Sequence, residues 1–241
     1  MRTLVISDVH ANLDAFKAVL EDAVSFDRVF LLGDLVGYGP DPNECIELAA
    51  SLPGLHCVLG NHDAALLGFI TPGNFNHEAQ KALEVQQELL KREQLEWLEL
   101  LPVEDLLPGI RLVHGSPRNP IWEYLLSGVT AFVNFEAFSE AVCLIGHTHI
   151  PSIFSLDGGR SVKVLQPSSG DLWRSNGRFL LNPGSVGQPR DANPKASYVI
   201  FDDEEATWQF RRVAYDYRPV QERIHALGIP ARHADRLAKG L

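Results

Sequence analysis

Residues 3–20 read TLVISDVHANLDAFKAVL, and the architecture is laid out from this stretch. Thr3 to Ser7 is a short apolar, β-branched run that stops at polar residues, which predicts a strand. From Asn12 to Ala23 the residues Leu13, Phe16, Val19 and Leu20 fall at helical spacing, with Asn12 placed to cap the helix. Asp8 and His10 lie in the turn between strand and helix. The same unit then recurs twice. Arg28 to Leu32 runs into Gly33-Asp34 and, past a Gly-Pro-Asp-Pro turn, into a helical segment from Glu44 to Ser51. Leu55 to Leu59 runs into Gly60-Asn61-His62-Asp63 and a helical segment from Ala64 to Phe69. Three successive strands each deliver a polar cluster at the C-terminal end, where open α/β sheets place their ligands.

Asn76 to Leu101 is rich in Glu, Gln, Lys and Leu and free of Gly and Pro, which predicts one or two helices ended by Pro102. Its apolar stripe, Leu83, Leu89, Leu90, Leu95, Trp97 and Leu98, reads as helix packing. Strands are expected at Ile110 to Val113, ahead of His114, and at Val142 to Ile145, ahead of Gly146-His147-Thr148-His149, with a helix from Val129 to Phe138 between them. Beyond Pro151 the runs Ile153 to Leu156, Ser161 to Gln166, Arg178 to Leu181, Ser197 to Phe201 and Thr207 to Val213 alternate with turn residues. That pattern predicts a largely antiparallel second sheet. Pro219 to Leu227 and Ala231 to Lys239 close the chain as short helices. With no internal repeat and no long linker, residues 1–241 are expected to form a single domain.

Composition narrows the function classes. The chain has 241 residues, with 21 Lys and Arg against 31 Asp and Glu, a formal charge of −10. Hydrophobic residues at 45% and charged residues at 22% are ordinary globular usage, so wholesale disorder is excluded. The acidic excess disfavours long nucleic acids, whose phosphates are gripped by Lys and Arg. Cys45, Cys57 and Cys143 form no metal-thiolate pattern and read as reduced, buried thiols of a cytoplasmic protein. No stretch approaches the roughly 18 apolar residues of a membrane span, so no membrane partner is expected.

The chemistry is carried by what ends each strand. Asp8 and His10, Asp34, Asn61 and His62, His114, and His147 and His149 include five of the nine histidines. Packing does not require such an arrangement. Imidazole nitrogens with carboxylate and amide oxygens suit Mn, Fe, Zn, Co or Ni, whereas Mg and Ca prefer all-oxygen cages. Seven candidate ligands, Asp8, His10, Asp34, Asn61, His114, His147 and His149, are too many for one tetrahedral ion. They match two ions sharing a carboxylate, and Asp34, alone in its cluster, is the natural bridge.

In order along the chain, Asp8-Val-His10, Gly33-Asp34, Gly60-Asn61-His62-Asp63, His114-Gly115 and Gly146-His147-Thr148-His149 resemble the motif set of the calcineurin-like metallophosphoesterases, over about residues 1 to 190. The resemblance implies an α/β fold, a four-layer α/β/β/α sandwich of two mixed β-sheets flanked by helices. It implies one metal on Asp8, His10, Asp34 and His149 and a second on Asp34, Asn61, His114 and His147. The cofactors are then two divalent ions, Mn first, with Fe, Ni, Co or Zn compatible. Asn182-Pro183-Gly184-Ser185 points to the small bacterial and archaeal phosphodiesterase branch, so diesters of small substrates are favoured over monoesters. Against compact members of that branch, residues 76–101 and 218–241 look like helical additions, and exposed apolar residues on them would favour a homodimer.

The resemblance also gives roles. A metal-bridging hydroxide would attack the phosphate, which Asn61 helps to fix. His62, which does not ligate metal in the family, would assist the leaving group, and Asp63 could orient or polarise it. The loop from Asn182 to Arg190 would offer the backbone N–H groups of Gly184 and Ser185, and the Arg190 guanidinium, to the substrate. His56, His77, His225 and His233 fall outside the pattern and read as structural or solvated. Two other classes compete: a non-catalytic scaffold keeping the fold, disfavoured by the complete ligand set, and a nuclease acting on short oligonucleotides or cyclic nucleotides.

Overall fold

The computed structural model describes residues 1–174 and 177–241. The first three units fold as read: β1 (Arg2–Ile6) and α1 (Leu13–Ala23), β2 (Arg28–Leu31) and α2 (Pro42–Ala50), β3 (Leu55–Cys57) and α3 (Asn61–Leu66). The Asn12 side chain accepts from Ala15 N at 3.1 Å and caps α1. One boundary differs in a way that matters: α3 starts at Asn61, not Ala64, so Asn61 and His62 stand on a helix turn and not in a loose loop. The helical stretch after it forms two helices, α4 (His77–Leu89) and α5 (Arg92–Glu99). The chain continues through β4 (Glu104–Leu107), β5 (Ile110–Val113), α6 (Gly128–Asn134) and β6 (Val142–Leu144). It closes with β7 (Ser152–Asp157), β8 (Ser161–Leu165), β9 (Leu172–Trp173), β10 (Phe179–Asn182), β11 (Ala196–Asp202), β12 (Thr207–Val213), α7 (Arg218–Ala226) and α8 (Ala231–Leu237).

Two six-stranded sheets result, ordered β3-β2-β1-β11-β12-β9 and β4-β5-β6-β10-β7-β8. Each is mixed. Parallel pairs β1 with β2 and β2 with β3 continue antiparallel through β11, and parallel β5, β6 and β10 continue antiparallel through β7 and β8. Alternation along β1 sorts the layers: Val5 faces the second sheet with Phe30, Leu144 and Leu181, while Leu4 and Ile6 face Phe16, Val19, Ile46 and Leu98 of the helices. On the outer face of the second sheet, Cys143 and Leu180 pack on Ala131 of α6 and on Phe135, its C-cap. The order is helix, sheet, sheet, helix.

The strands beyond Pro151 correct the expectation of one antiparallel second sheet. β7, β8 and β10 join β6, but β11, β12 and β9 extend the first sheet. The reason lies in β11, whose Tyr198 and Ile200 enter the helix-side core and whose Val199 enters the inter-sheet core. A strand apolar on both faces belongs inside a sheet, and β1 offers it an open edge, pairing Leu4 with Ile200 and Val5 with Val199. β4 and β9 had no sequence expectation; both are edge pieces, Glu-Asp-Leu-Leu and Leu-Trp, too short or too polar to carry a period. Among the described residues no helix is long and apolar enough to cross a membrane.

Candidate metal centre

The site forms where the loops leaving the parallel strands are locked together by their own backbone. Asp8 N donates to Gly33 O at 3.1 Å, His10 N to Asp34 O at 2.9 Å and Ala11 N to Leu35 O at 2.8 Å. Holding the side chains inward costs backbone strain. Asp8, His10, Asp34, His147 and His149 all have left-handed backbone, with φ of 55°, 49°, 53°, 66° and 60°. Such a conformation costs an L-residue about 1–2 kcal/mol and persists only where the surroundings over-determine it. Gly60 shows how tight the approach is, since a Cβ there would collide with Asp34 Oδ1.

The expected ligands converge. His149 Nε2 lies 3.1 Å from His10 Nε2 and 3.3 Å from Asp8 Oδ1, and His10 Nε2 lies 3.6 Å from Asp34 Oδ2. On the other side of Asp34, its Oδ2 is 3.3 Å from His114 Nε2, which is 2.9 Å from Asn61 Oδ1 and 3.1 Å from His147 Nδ1. Donor atoms of Asp8, His10, Asp34 and His149 lie within 4.8 Å of one another, as do those of Asp34, His114 and His147. Asp34 belongs to both groups.

The protonation of these rings is dictated by the chain. Nδ1 of His10, His114 and His149 each faces a backbone carbonyl, of Val36, Leu32 and Gln188. A carbonyl only accepts, so each Nδ1 bears a proton; His10 and His149, held neutral by burial, turn an Nε2 lone pair inward, and His114 does so once its Nε2 gives up the proton that Asp34 favours. Lone pairs facing lone pairs and carboxylates at roughly 3 Å repel, yet that is the edge length of a coordination shell with bonds of about 2.1 Å. Asp8 Oδ1 is buried without a hydrogen-bond donor, and so is His147 Nε2. The donor set therefore fits divalent cations.

Electrostatics agree. Burial, then the neighbouring Asp34 charge, pushes the Asp8 carboxyl up to about 7. Burial also acts upward on Asp34, but His114 and His62 hold its carboxyl well below the usual range. His114 is opposed by burial yet pushed up to about 9 by the Asp34 charge and hydrogen bond. Burial holds His10, His147 and His149 well below the ordinary imidazole value. Protons and divalent cations therefore compete for the His114 and Asp8 side chains.

His62 stands beside the ligands and not among them. Its backbone N donates to Asp34 Oδ1 at 2.9 Å, while its ring packs on Tyr38 at 4.4 Å and on Phe75 at 4.8 Å between centroids. A Cβ on Gly37 would collide with His62 Nδ1, so the imidazole can sit there only because residue 37 is glycine. Burial pushes His62 down to about 4.

Two expectations are corrected. Asp63 does not face the His62 ring, whose Nδ1 has no partner. Its carboxylate instead accepts from Asp34 N at 2.8 Å, Val36 N at 3.1 Å and Gly60 N at 2.9 Å, because three loop amides converge on it. Gly184 and Ser185 do not offer themselves to the cleft either. Neither residue lines the cleft and Ser185 is fully buried; Gly184 N donates to Asn182 Oδ1 at 2.8 Å, and the Ser185 hydroxyl donates to Asp8 O at 2.8 Å, so this turn braces the Asp8 loop. Arg190 does border the cleft, a space of about 430 Å³ that Asp34, Asn61, His62 and His147 also line. Its other wall, Tyr38, Phe75, Trp122 and Tyr124, was missed. The available signal was a bulky residue between two glycines, Gly37-Tyr38-Gly39, and two aromatics in a turn-rich loop after His114. His233, read as structural or solvated, is buried and packs on Tyr38 at 4.7 Å.

Comparison with known proteins gives concordant matches. The calcineurin-like phosphoesterase superfamily domain matches residues 1–206. A crystal structure of a metallophosphoesterase from Sphaerobacter thermophilus superposes with a TM-score of 0.92 at 43% identity, covering 100% of this chain and 99% of that one. The uncharacterized protein MJ0912 of Methanocaldococcus jannaschii is 38% identical over 98% of this chain and 97% of its own length. A symmetrical bis(5'-nucleosyl)-tetraphosphatase of Serratia proteamaculans is 32% identical over 129 residues, 51% of this chain and 45% of that enzyme, so the chain matches about half the length of this relative.

Proposed function

The chain belongs to the calcineurin-like phosphoesterase superfamily, and we propose that this metal-dependent phosphoester hydrolase acts on small phosphodiesters with two divalent ions, manganese foremost. The observation that carries the reading is the shared position of Asp34, whose Oδ2 is 3.6 Å from His10 Nε2 and 3.3 Å from His114 Nε2. Asp8, His10, Asp34 and His149 would hold one ion, and Asp34, Asn61, His114 and His147 the other. Such ions supply Lewis-acid stabilisation of phosphoryl oxygens and an activated water.

The remaining roles fall to the chain. Asn61 turns its amide oxygen to His114, which leaves the amide N–H groups for a phosphoryl oxygen. His62 is neutral at pH 7; a phosphoryl anion beside it would raise its pKa and favour the imidazolium, whose N–H then protonates the leaving oxygen and returns the ring to its neutral form. Asp63 holds the Asp34 and Gly60 amides and thereby the bridge. Preference for diesters over monoesters rests on the Asn182-Pro-Gly-Ser segment. The aromatic wall supports a second substrate reading: Phe75 and Trp122, with centroids 5.0 Å apart at the cleft, suit a base, and one relative is a bis(5'-nucleosyl)-tetraphosphatase.

The test is metal-resolved hydrolysis. Stripped protein receives Mn, Ni, Co, Zn or Mg singly and is assayed on a chromogenic diester, the matching monoester and a dinucleoside tetraphosphate. Asp34→Asn is expected to lose both metal and turnover. His62→Ala is expected to keep its metal and lose kcat by about 10²- to 10³-fold. Turnover that persists in protein shown metal-free by mass spectrometry, or a His62→Ala variant as active as wild type, would sink this reading.

A further inference from the structure

The cleft holds a positive charge that makes no ion pair among the described residues. Arg190 Nη2 donates to the Tyr38 hydroxyl and to Gln188 Oε1, each at 3.3 Å, and its Nε is buried without an acceptor. Among the described residues no carboxylate stands within ion-pair distance of the guanidinium, although the chain as a whole is acidic. Tyr38 accepts from Arg190, so its own O–H proton is unspent, and a phenol keeps that proton at neutral pH. Tyr124 stands on the wall of the same cleft. All three side chains border the same cleft as Asp34, Asn61 and His147. A buried cation with unused donors around it lacks an anion.

The position of Tyr38 is enforced from a distance. Its backbone is left-handed, with φ of 61°. The buried Gln86 side chain on α4 accepts from Gly37 N at 2.6 Å and donates to Gly39 O at 2.6 Å, so one carboxamide grips the backbone on either side of Tyr38. The ring is held between His10, His62 and His233, with centroids at 4.5, 4.4 and 4.7 Å. His233 in turn is tied to α4, its Nε2 lying 3.2 Å from Glu78 O. Strain combined with over-determined support is the signature of a functional residue.

We propose that Arg190, Tyr38 and Tyr124 form a clamp for the anionic oxygens of a phosphoester, and that Gln86 is a positioning residue that sets Tyr38 within it. The clamp rests on the phosphoesterase reading only for the identity of its ligand, a phosphate oxyanion. The helices flanking the core thereby serve the cleft, because α4 and α8 hold one jaw of the clamp.

The experiment measures inorganic phosphate binding by calorimetry, together with KM and kcat for the chromogenic diester, on metal-loaded protein. Tyr38→Phe keeps the ring and removes the donor; it is expected to weaken phosphate binding and raise KM by about tenfold, with a smaller effect on kcat. Arg190→Gln is expected to weaken phosphate further. Gln86→Leu should act in the same direction as Tyr38→Phe, and Gln86→Glu, which keeps the acceptor for Gly37, should recover part of the loss. The double variant Tyr38→Phe/Gln86→Leu should bind phosphate no worse than the weaker single variant, because both act through one hydroxyl. Unchanged phosphate affinity in Tyr38→Phe and Arg190→Gln with wild-type metal content overturns the clamp, and additive losses in the double variant overturn the role of Gln86. Phosphate binding that needs Tyr38 and Arg190 in a protein that hydrolyses no phosphoester supports the clamp while rejecting the hydrolytic reading.

Discussion

Asp63 shows how a residue can shape a cluster of candidate ligands without joining it. Both its oxygens are committed to loop amides, those of Asp34, Gly60 and Val36, so it fixes the backbone from which the Asp34 carboxylate, shared by both candidate groups, projects. Asp63→Asn keeps the shape but turns an amide N–H₂ toward a donor. It should destabilise the protein by about 1–3 kcal/mol and weaken metal affinity by about 10- to 100-fold. Thermal unfolding and competitive chelator titration would measure both, and a wild-type metal affinity would count against this role. At this scale the sequence was informative where chemistry is written in residue type and spacing: Asp8, His10, Asp34 and the later histidines each end a strand. It was silent on Tyr38, Trp122 and Tyr124, which are conspicuous only once separate loops share a cleft, and misleading on Asp63, whose adjacency to His62 in the chain is not adjacency of the side chains.

Elements were read well where one short segment contains its own signals. α1 has a cap, a period and a stop. Its Asn12 does more than cap, since Nδ2 also donates to Gly187 O and to the Tyr215 hydroxyl, both at 2.9 Å. Asn12→Ala should therefore cost about 1–2 kcal/mol and lower the thermal midpoint by about 2–8 °C. A midpoint within a degree of wild type would show that the cap is dispensable. The helical pair α4 and α5 was legible from composition, and Leu83, Leu90 and Leu98 do bury in the core, as their spacing demands. The allocation of β11 and β12 was not legible. Alternation says which face of a strand is apolar, but the hydrogen-bond edge it fills is chosen by whichever strand is left unpaired.

For the molecule as a whole, α7 and α8 close over the loop carrying Tyr38, with Val220, Ile224 and Leu237 forming their own apolar cluster and Arg223 paired to Asp41 and Asp14. His233 sits inside this closure, and burial pushes its imidazole down to about 4. Its folded value lies below the unfolded one, so neutral His233 contributes stability above about pH 6.5 and loses it as pH falls toward 4. His233→Phe removes that dependence. The stability gap between wild type and variant should shrink by about 2 kcal/mol from pH 7.5 to pH 5. Urea midpoints at the two pH values would measure it, and a gap independent of pH would show that His233 is solvated in the folded state.

By itself the sequence determined the family, the strand-loop-helix grammar and the cluster of Asp and His residues at the strand ends, because those are properties of local periodicity and of side-chain chemistry. Only the tertiary structure decided which sheet takes each late strand, which amides Asp63 holds and which rings wall the cleft. Those depend on which surfaces meet, and residues as far apart as Tyr38, Gln86, Arg190 and His233 become neighbours only after two sheets and their flanking helices have packed around one centre.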